Sequence, residues 1–111
     1  MTQISERARI LVADDEPANL KVIREVLAND YRLSFAKSGE LALQLIENEP
    51  PKLILLDIMM PDMSGFEVCK VLKANPKTAH IPVIFVTALS HEQDESEGFA
   101  LGAVDYITKP I

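Results

Sequence analysis

The chain has 111 residues, 48% of them hydrophobic and 25% charged, and a formal net charge of −6 at pH 7. That length fits one domain with a single core, the balance excludes a disordered chain, and the acidic surplus argues against a nucleic-acid surface, which needs a basic footprint. No apolar stretch approaches the ~20 residues that span a bilayer, and the polar start from Met1 to Arg9 lacks a signal-peptide core, so a cytoplasmic protein without membrane contact is expected.

The first element is the continuous apolar run Ile10-Leu11-Val12-Ala13, which suits a strand covered on both faces and ends in Asp14-Asp15. Pro17 is well placed at a first helical position, and Leu20, Ile23, Val26 and Leu27 form an apolar stripe behind it. Arg32-Leu33-Ser34-Phe35-Ala36 alternates, as an edge strand does, and a second stripe of Leu41, Ala42, Leu45 and Ile46 is closed by Pro50-Pro51. Leu53-Ile54-Leu55-Leu56 then runs into Asp57, and Ser64-Gly65-Phe66-Glu67 has the spacing of a capping box. The helix it opens carries Cys69 among Val68, Val71 and Leu72; as the only cysteine it forms no intrachain disulfide and reads as a buried thiol.

Val83-Ile84-Phe85-Val86 runs into Thr87, and Ser90-His91-Glu92-Gln93 has the spacing of a second capping box, predicting a fourth helix. Its apolar stripe is thin, with Phe99 and Leu101 the only large members, and its acidic run Glu92, Asp94, Glu95, Glu97 reads as a solvated face or a partner surface. Val104-Asp105-Tyr106-Ile107-Thr108 ends in Lys109-Pro110. His80 and His91 have no partner at metal-ligand spacing and are expected to be exposed, while Met59, Met60 and Met63 read as loop packing.

Strand and helix alternate through about five strands and four helices, which predicts an α/β fold with a parallel sheet and right-handed crossovers. The chain stops after Lys109-Pro110-Ile111, where a further helix would follow the last strand. Such a helix would contribute ~8–10 kcal/mol of gross apolar burial, so a final helix missing from the chain, with self-association or unusual instability of the isolated chain, is the expectation.

Ligands of open parallel sheets bind outside the carboxyl ends of the strands. Asp14, Asp15, Asp57, Thr87 and Lys109 all stand at such ends. Crowded carboxylates repel unless a cation intervenes, and one Mg²⁺ with the Lys109 ammonium would neutralise the three aspartates. With no His or Cys nearby, a hard cation held by oxygen is the natural ligand. An Asp carboxylate can serve as a nucleophile toward phosphorus, and phosphoryl transfer needs mainly positioning and charge neutralisation. Asp57, on the middle run, is the best-placed acceptor.

Ile10-Leu11-Val12-Ala13-Asp14-Asp15-Glu16-Pro17, Leu55-Leu56-Asp57-Ile58-Met59-Met60-Pro61, Val86-Thr87-Ala88 and Gly102-Ala103-Val104-Asp105-Tyr106-Ile107-Thr108-Lys109-Pro110 together resemble the receiver domain of two-component response regulators, over about Arg9 to Ile111. The resemblance implies a single domain with a flavodoxin-like doubly wound five-stranded sheet in the order 2-1-3-4-5. It implies that Asp57 accepts phosphate from a histidine kinase or phosphotransfer protein. Asp15, Asp57 and the main-chain carbonyl of Met59 would bind Mg²⁺ directly, and Asp14 through water. Lys109 would pair with Asp57 and then with the phosphoryl group, Thr87 would swing toward that group, and the Tyr106 ring would follow inward. Pro110 would follow a cis peptide bond, and Ala88 fits the small residue near the phosphoryl oxygens.

Two positions that vary in the family carry Met59 and Leu89, neither able to orient a hydrolytic water, which predicts a long-lived aspartyl phosphate. An aspartate-nucleophile phosphatase of the haloacid dehalogenase type would carry a second acid where Met59 stands. A pseudo-receiver would have lost part of the set formed by Asp14, Asp15, Asp57, Thr87 and Lys109. The predicted protein is therefore a phosphoryl acceptor with slow self-hydrolysis, not a turnover enzyme. Its downstream partner or output domain is unspecified, although the tract from Phe85 to Ile107 resembles receivers attached to cyclic-dinucleotide enzymes or hybrid kinases.

Overall fold

The structure, a computed structural model, describes residues 7–110. Strands β1 (Arg9–Ala13), β2 (Arg32–Ala36), β3 (Leu53–Leu56), β4 (Val83–Thr87) and β5 (Asp105–Thr108) alternate with helices α1 (Pro17–Leu27), α2 (Gly39–Asn48), α3 (Gly65–Ala74) and α4 (Glu92–Ala100). All strand pairs are parallel and the order is β2-β1-β3-β4-β5, so the predicted flavodoxin-like doubly wound sheet is present. The order reverses between β1 and β3, and the ends of these two strands flank the crevice where such sheets bind ligands.

Alternate residues of the strands feed two cores. Leu11, Ile54, Leu56 and Phe85 pack with α2 and α3 through Ala42, Ile46, Val68, Cys69 and Leu72. Ile10 and Val12 pack on the other face with Leu20 and Ile23 of α1. This two-sided cover is why β1 is buried at every position and reads as one continuous apolar run. On the α1 face, Ile23, Val26, Leu27, Leu55, Val86 and Ile107 line an open apolar cleft of about 120 Å³. No helix among the described residues is long and apolar enough to cross a membrane.

The Ser64 capping box forms as the spacing predicts: Ser64 Oγ accepts the Glu67 N–H at 3.2 Å and Glu67 Oε1 accepts the Ser64 N–H at 3.0 Å. The second predicted box does not form. α4 starts one residue later than that motif requires, with His91 at the N-cap and no side-chain cap bond. Its first turn instead gathers Glu92, Asp94 and Glu95, whose charges complement the positive end of the helix.

The apolar stripe expected on α4 also needs correction. Phe99 is 44% exposed, and the buried member of the helix is Gly98. A Cβ on Gly98 would sit 3.0 Å from the Phe85 ring and 3.2 Å from the Tyr106 ring, so α4 lies with its bare backbone against these aromatics. Gly102, at φ +106°, turns the chain out of α4 in the left-handed region open to glycine. His80 and His91 are exposed, and Cys69 is a buried free thiol whose pKa burial pushes up.

Candidate functional site

Backbone hydrogen bonds across the strand ends place the side chains at the crevice. The Asp14 N–H donates to the Ala36 carbonyl at 3.0 Å, the Asp57 N–H to the Ala13 carbonyl at 2.9 Å, and the Lys109 N–H to the Thr87 carbonyl at 2.8 Å. Residues at the ends of four different strands, β1, β3, β4 and β5, are thereby carried to one edge. α3 presses on the end of β3 through Gly65, whose N–H donates to the Ile58 carbonyl at 2.9 Å. A Cβ on Gly65 would collide with the Asp57 carbonyl oxygen, so the approach of α3 requires glycine there.

Lys109 is the centre of the charge arrangement. Its Nζ lies 2.8 Å from Asp14 Oδ2, 3.0 Å from Asp57 Oδ2 and 3.2 Å from Glu16 Oε1. The side chains of Lys109, Asp14 and Asp57 are nearly closed to solvent, whereas that of Glu16 is 61% exposed. The second oxygens are also engaged: Asp14 Oδ1 accepts the Glu16 N–H at 2.9 Å, and Asp57 Oδ1 accepts the Met59 N–H at 3.2 Å.

Burial pushes the pKa of Asp14 up, helped by the neighbouring Asp57 charge and only partly offset by hydrogen bonds from Lys109 and the Glu16 backbone. Burial alone would lower the pKa of Lys109. Its bonds to Asp14, Asp57 and Glu16 outweigh that and hold it above the ordinary lysine range, so the ammonium stays charged.

Asp15 is exposed, and one carboxylate oxygen from each of Asp14, Asp15, Glu16 and Asp57 lies within 4.8 Å of the others. The donor set is all oxygen and all anionic, which suits a hard divalent cation. Thr87 is fully buried at the end of β4, and its Oγ1 accepts the Leu89 N–H at 3.4 Å. The Tyr106 ring is half-buried, 6.2 Å from Phe85, and its hydroxyl donates to the Leu89 carbonyl at 2.6 Å. Burial, with the charges of Asp94, Glu95 and Asp57, raises the pKa of that phenol. The Lys109–Pro110 bond is cis.

The structure thus brings Asp14, Asp15, Asp57 and Lys109 together and sets Thr87 and Tyr106 on either side of Leu89. The Met59 side chain points away, 55% exposed, while its main chain stays in contact with Asp57. Sequence reasoning quoted Glu16 only within the first motif and gave it no role. The signal was available: an Asp that accepts the N–H two residues on folds the chain back on itself, which returns Glu16 to the crevice.

The sequence model of the response regulator receiver domain matches residues 10–111. The chain belongs to this family. The receiver domain is 51% identical over 102 residues to a probable cyclic di-GMP phosphodiesterase of Vibrio cholerae, covering 92% of this chain and 23% of that protein. It is 48% identical over 105 residues to the response regulator PleD of Caulobacter vibrioides, covering 94% of this chain and 23% of the relative. The chain therefore spans about a quarter of the length of these relatives. Among solved structures, the Mn(2+)-bound form of response regulator Rcp1 superposes with a TM-score of 0.86 at 33% identity, covering 93% of this chain and 81% of that one. Membership places the chain in two-component signalling.

Proposed function

We propose that this receiver domain is a phosphorylation-controlled switch in which Asp57 accepts a phosphoryl group from a histidine kinase or phosphotransfer protein. The observation that carries the reading is the Lys109 ammonium held against both buried aspartates, 2.8 Å from Asp14 and 3.0 Å from Asp57. In the reaction an Asp57 carboxylate oxygen attacks phosphorus and the P–N bond of the phosphohistidine breaks. The electron pair returns to the imidazole nitrogen, leaving an acyl phosphate. Lys109 supplies fixed positive charge beside the transferring group. Thr87 accepts the Leu89 N–H through Oγ1, which leaves its own proton to donate to a phosphoryl oxygen.

The anionic oxygen set fits Mg²⁺, which Asp15, Asp57 and the Met59 carbonyl would hold directly and Asp14 through water. When bound, the ion neutralises crowded carboxylate and phosphoryl oxygens. The Mn(2+)-bound form of the Rcp1 neighbour supports a divalent cation here. Phosphorylation adds charge and strong acceptors at the crevice, and the Thr87–Leu89–Tyr106 contacts offer a route to α4 and β5. The output is an attached domain or partner protein, and the similarity to a probable cyclic di-GMP phosphodiesterase supports cyclic-dinucleotide turnover as its class.

Incubation with Mg²⁺ and acetyl phosphate should add one phosphoryl group by mass, with acetate leaving, and Asp57→Asn should add none. A wild-type chain that takes no phosphate would be a pseudo-receiver, and the reading would fall. Neither exposed Met59 nor half-buried Leu89 can orient water, so the aspartyl phosphate should be long-lived and Met59→Asn should shorten its lifetime.

A further inference from the structure

We infer that Asn19 is a positioning residue for phosphoryl transfer, acting through Glu16 to aim the Lys109 ammonium. Two hydrogen bonds among the described residues set the direction of Lys109 Nζ: it donates to Asp57 Oδ2 at 3.0 Å and to Glu16 Oε1 at 3.2 Å. Asp14 Oδ2, at 2.8 Å, is an ion pair that attracts the charge without aligning an N–H. When Asp57 takes the phosphoryl group, its carboxylate becomes an acyl phosphate, and the donor it held is freed for a phosphoryl oxygen. Of the two hydrogen bonds, the one to Glu16 outlasts the transfer. A lysine side chain is long and flexible, so this remaining bond keeps its ammonium pointed at the reacting group.

Glu16 alone is a poor anchor. Its side chain is 61% exposed, and an exposed carboxylate free to rotate holds a cation weakly. Two further bonds remove that freedom. The Glu16 N–H donates to Asp14 Oδ1 at 2.9 Å, which fixes the backbone. Asn19 Nδ2 donates at 3.0 Å to Oε1, the same oxygen that faces Lys109. Asn19 stands in the first turn of α1, three residues after Glu16, and is half-buried where Glu16 is open to solvent. Asn19 is also neutral and is not among the four carboxylates that could face a cation. Its effect on Lys109 therefore passes through Glu16 alone.

The proposal rests on the phosphoryl-acceptor reading, and the test separates the two. Wild type, Asn19→Ala, Glu16→Ala and the double variant are compared for phosphorylation by acetyl phosphate with Mg²⁺ saturating, with half-saturation and maximal rate resolved. Mg²⁺ affinity is measured separately by calorimetry without phosphodonor. Alanine suits the first turn of a helix, so the variants should keep the fold, checked by melting. Asn19→Ala should lower the maximal rate roughly two- to fivefold, the worth of one partly exposed polar contact. Its half-saturation and Mg²⁺ affinity should stay as in wild type. Glu16→Ala should be slowed at least as much, and the double variant no more than Glu16→Ala, because residues that act in series do not add.

An Asn19→Ala variant as fast as wild type, or one slowed only through half-saturation or Mg²⁺ affinity, would overturn the proposal. So would a double variant in which the two losses add. A Glu16→Ala variant faster than wild type would show that the carboxylate repels the donor more than it aims Lys109, and would overturn it as well. Absence of phosphorylation in wild type itself would instead refute the acceptor reading.

Discussion

The two ends of the sheet are built differently. β1 is buried at all five positions and, with β3, carries Asp14 and Asp57 between two packed cores. β5 is exposed at three of its four positions, and α4 meets the sheet through a single buried glycine. The charged groups that would do chemistry stand on the rigid part, where the low-dielectric surroundings strengthen their mutual pull. The surface that would report the chemistry is held by few apolar contacts, the condition under which a segment opens locally or shifts between states. Tyr106 joins the two regions, with its ring near Phe85 of the core and its hydroxyl on the Leu89 carbonyl ahead of α4.

The contrast can be broken most forcefully at Lys109. Lys109→Met leaves two buried carboxylates without their cation and should lower metal-free stability by about 3 kcal/mol, read by denaturant unfolding. Because the bound carboxylates raise the lysine pKa, its contribution is complete below the ordinary value of 10.5 and fades only as pH rises through the folded value. The loss should therefore appear in full at neutral pH. A loss of only a few tenths would mean that the site is as soft as α4.

Gly98→Val probes the other region. Its Cβ alone would meet Phe85 at 3.0 Å, so the branched side chain should cost about 1–3 kcal/mol by overpacking. Hydrogen exchange should quicken in α4 and β5 while β1 and β3 stay protected; equal loosening of all four would erase the distinction. Tyr106→Phe removes the 2.6 Å bond to Leu89 and should cost about 1 kcal/mol, with the Leu89–His91 stretch loosening first.

Asp14→Asn sharpens the electrostatic side. The folded state raises the pKa of Asp14, so its ionisation opposes folding as pH rises above the ordinary value of 3.8. Without metal, the variant should be more stable than wild type at neutral pH. That gain should vanish below the ordinary value, as a pH series of melting curves would show.

The convergence of Asp14, Asp15, Asp57, Thr87 and Lys109 was legible in the sequence because strand ends in a parallel sheet share one edge, so their positions alone bring them together. The α1, α2 and α3 stripes and the Ser64 capping box were equally readable, being local patterns of spacing. α4 was not. The Ser90 motif had the right spacing, but the helix began after it, and Phe99 turned outward because Phe85 and Tyr106 leave room beneath α4 for no more than a glycine. Local spacing cannot report what another strand puts beneath a helix.

The sequence by itself determined the strand–helix alternation, the buried character of β1 and the identity of the residues at the carboxyl edge. These follow from hydrophobic period and from the geometry common to all parallel sheets. Only the tertiary structure decided how the charges pair: that the Lys109 ammonium lies against Asp14, Asp57 and Glu16 together, and that Asp15 stays exposed. Pairing depends on ångström distances between side chains that lie up to 95 residues apart in the chain, from Asp14 to Lys109, and no local pattern encodes them.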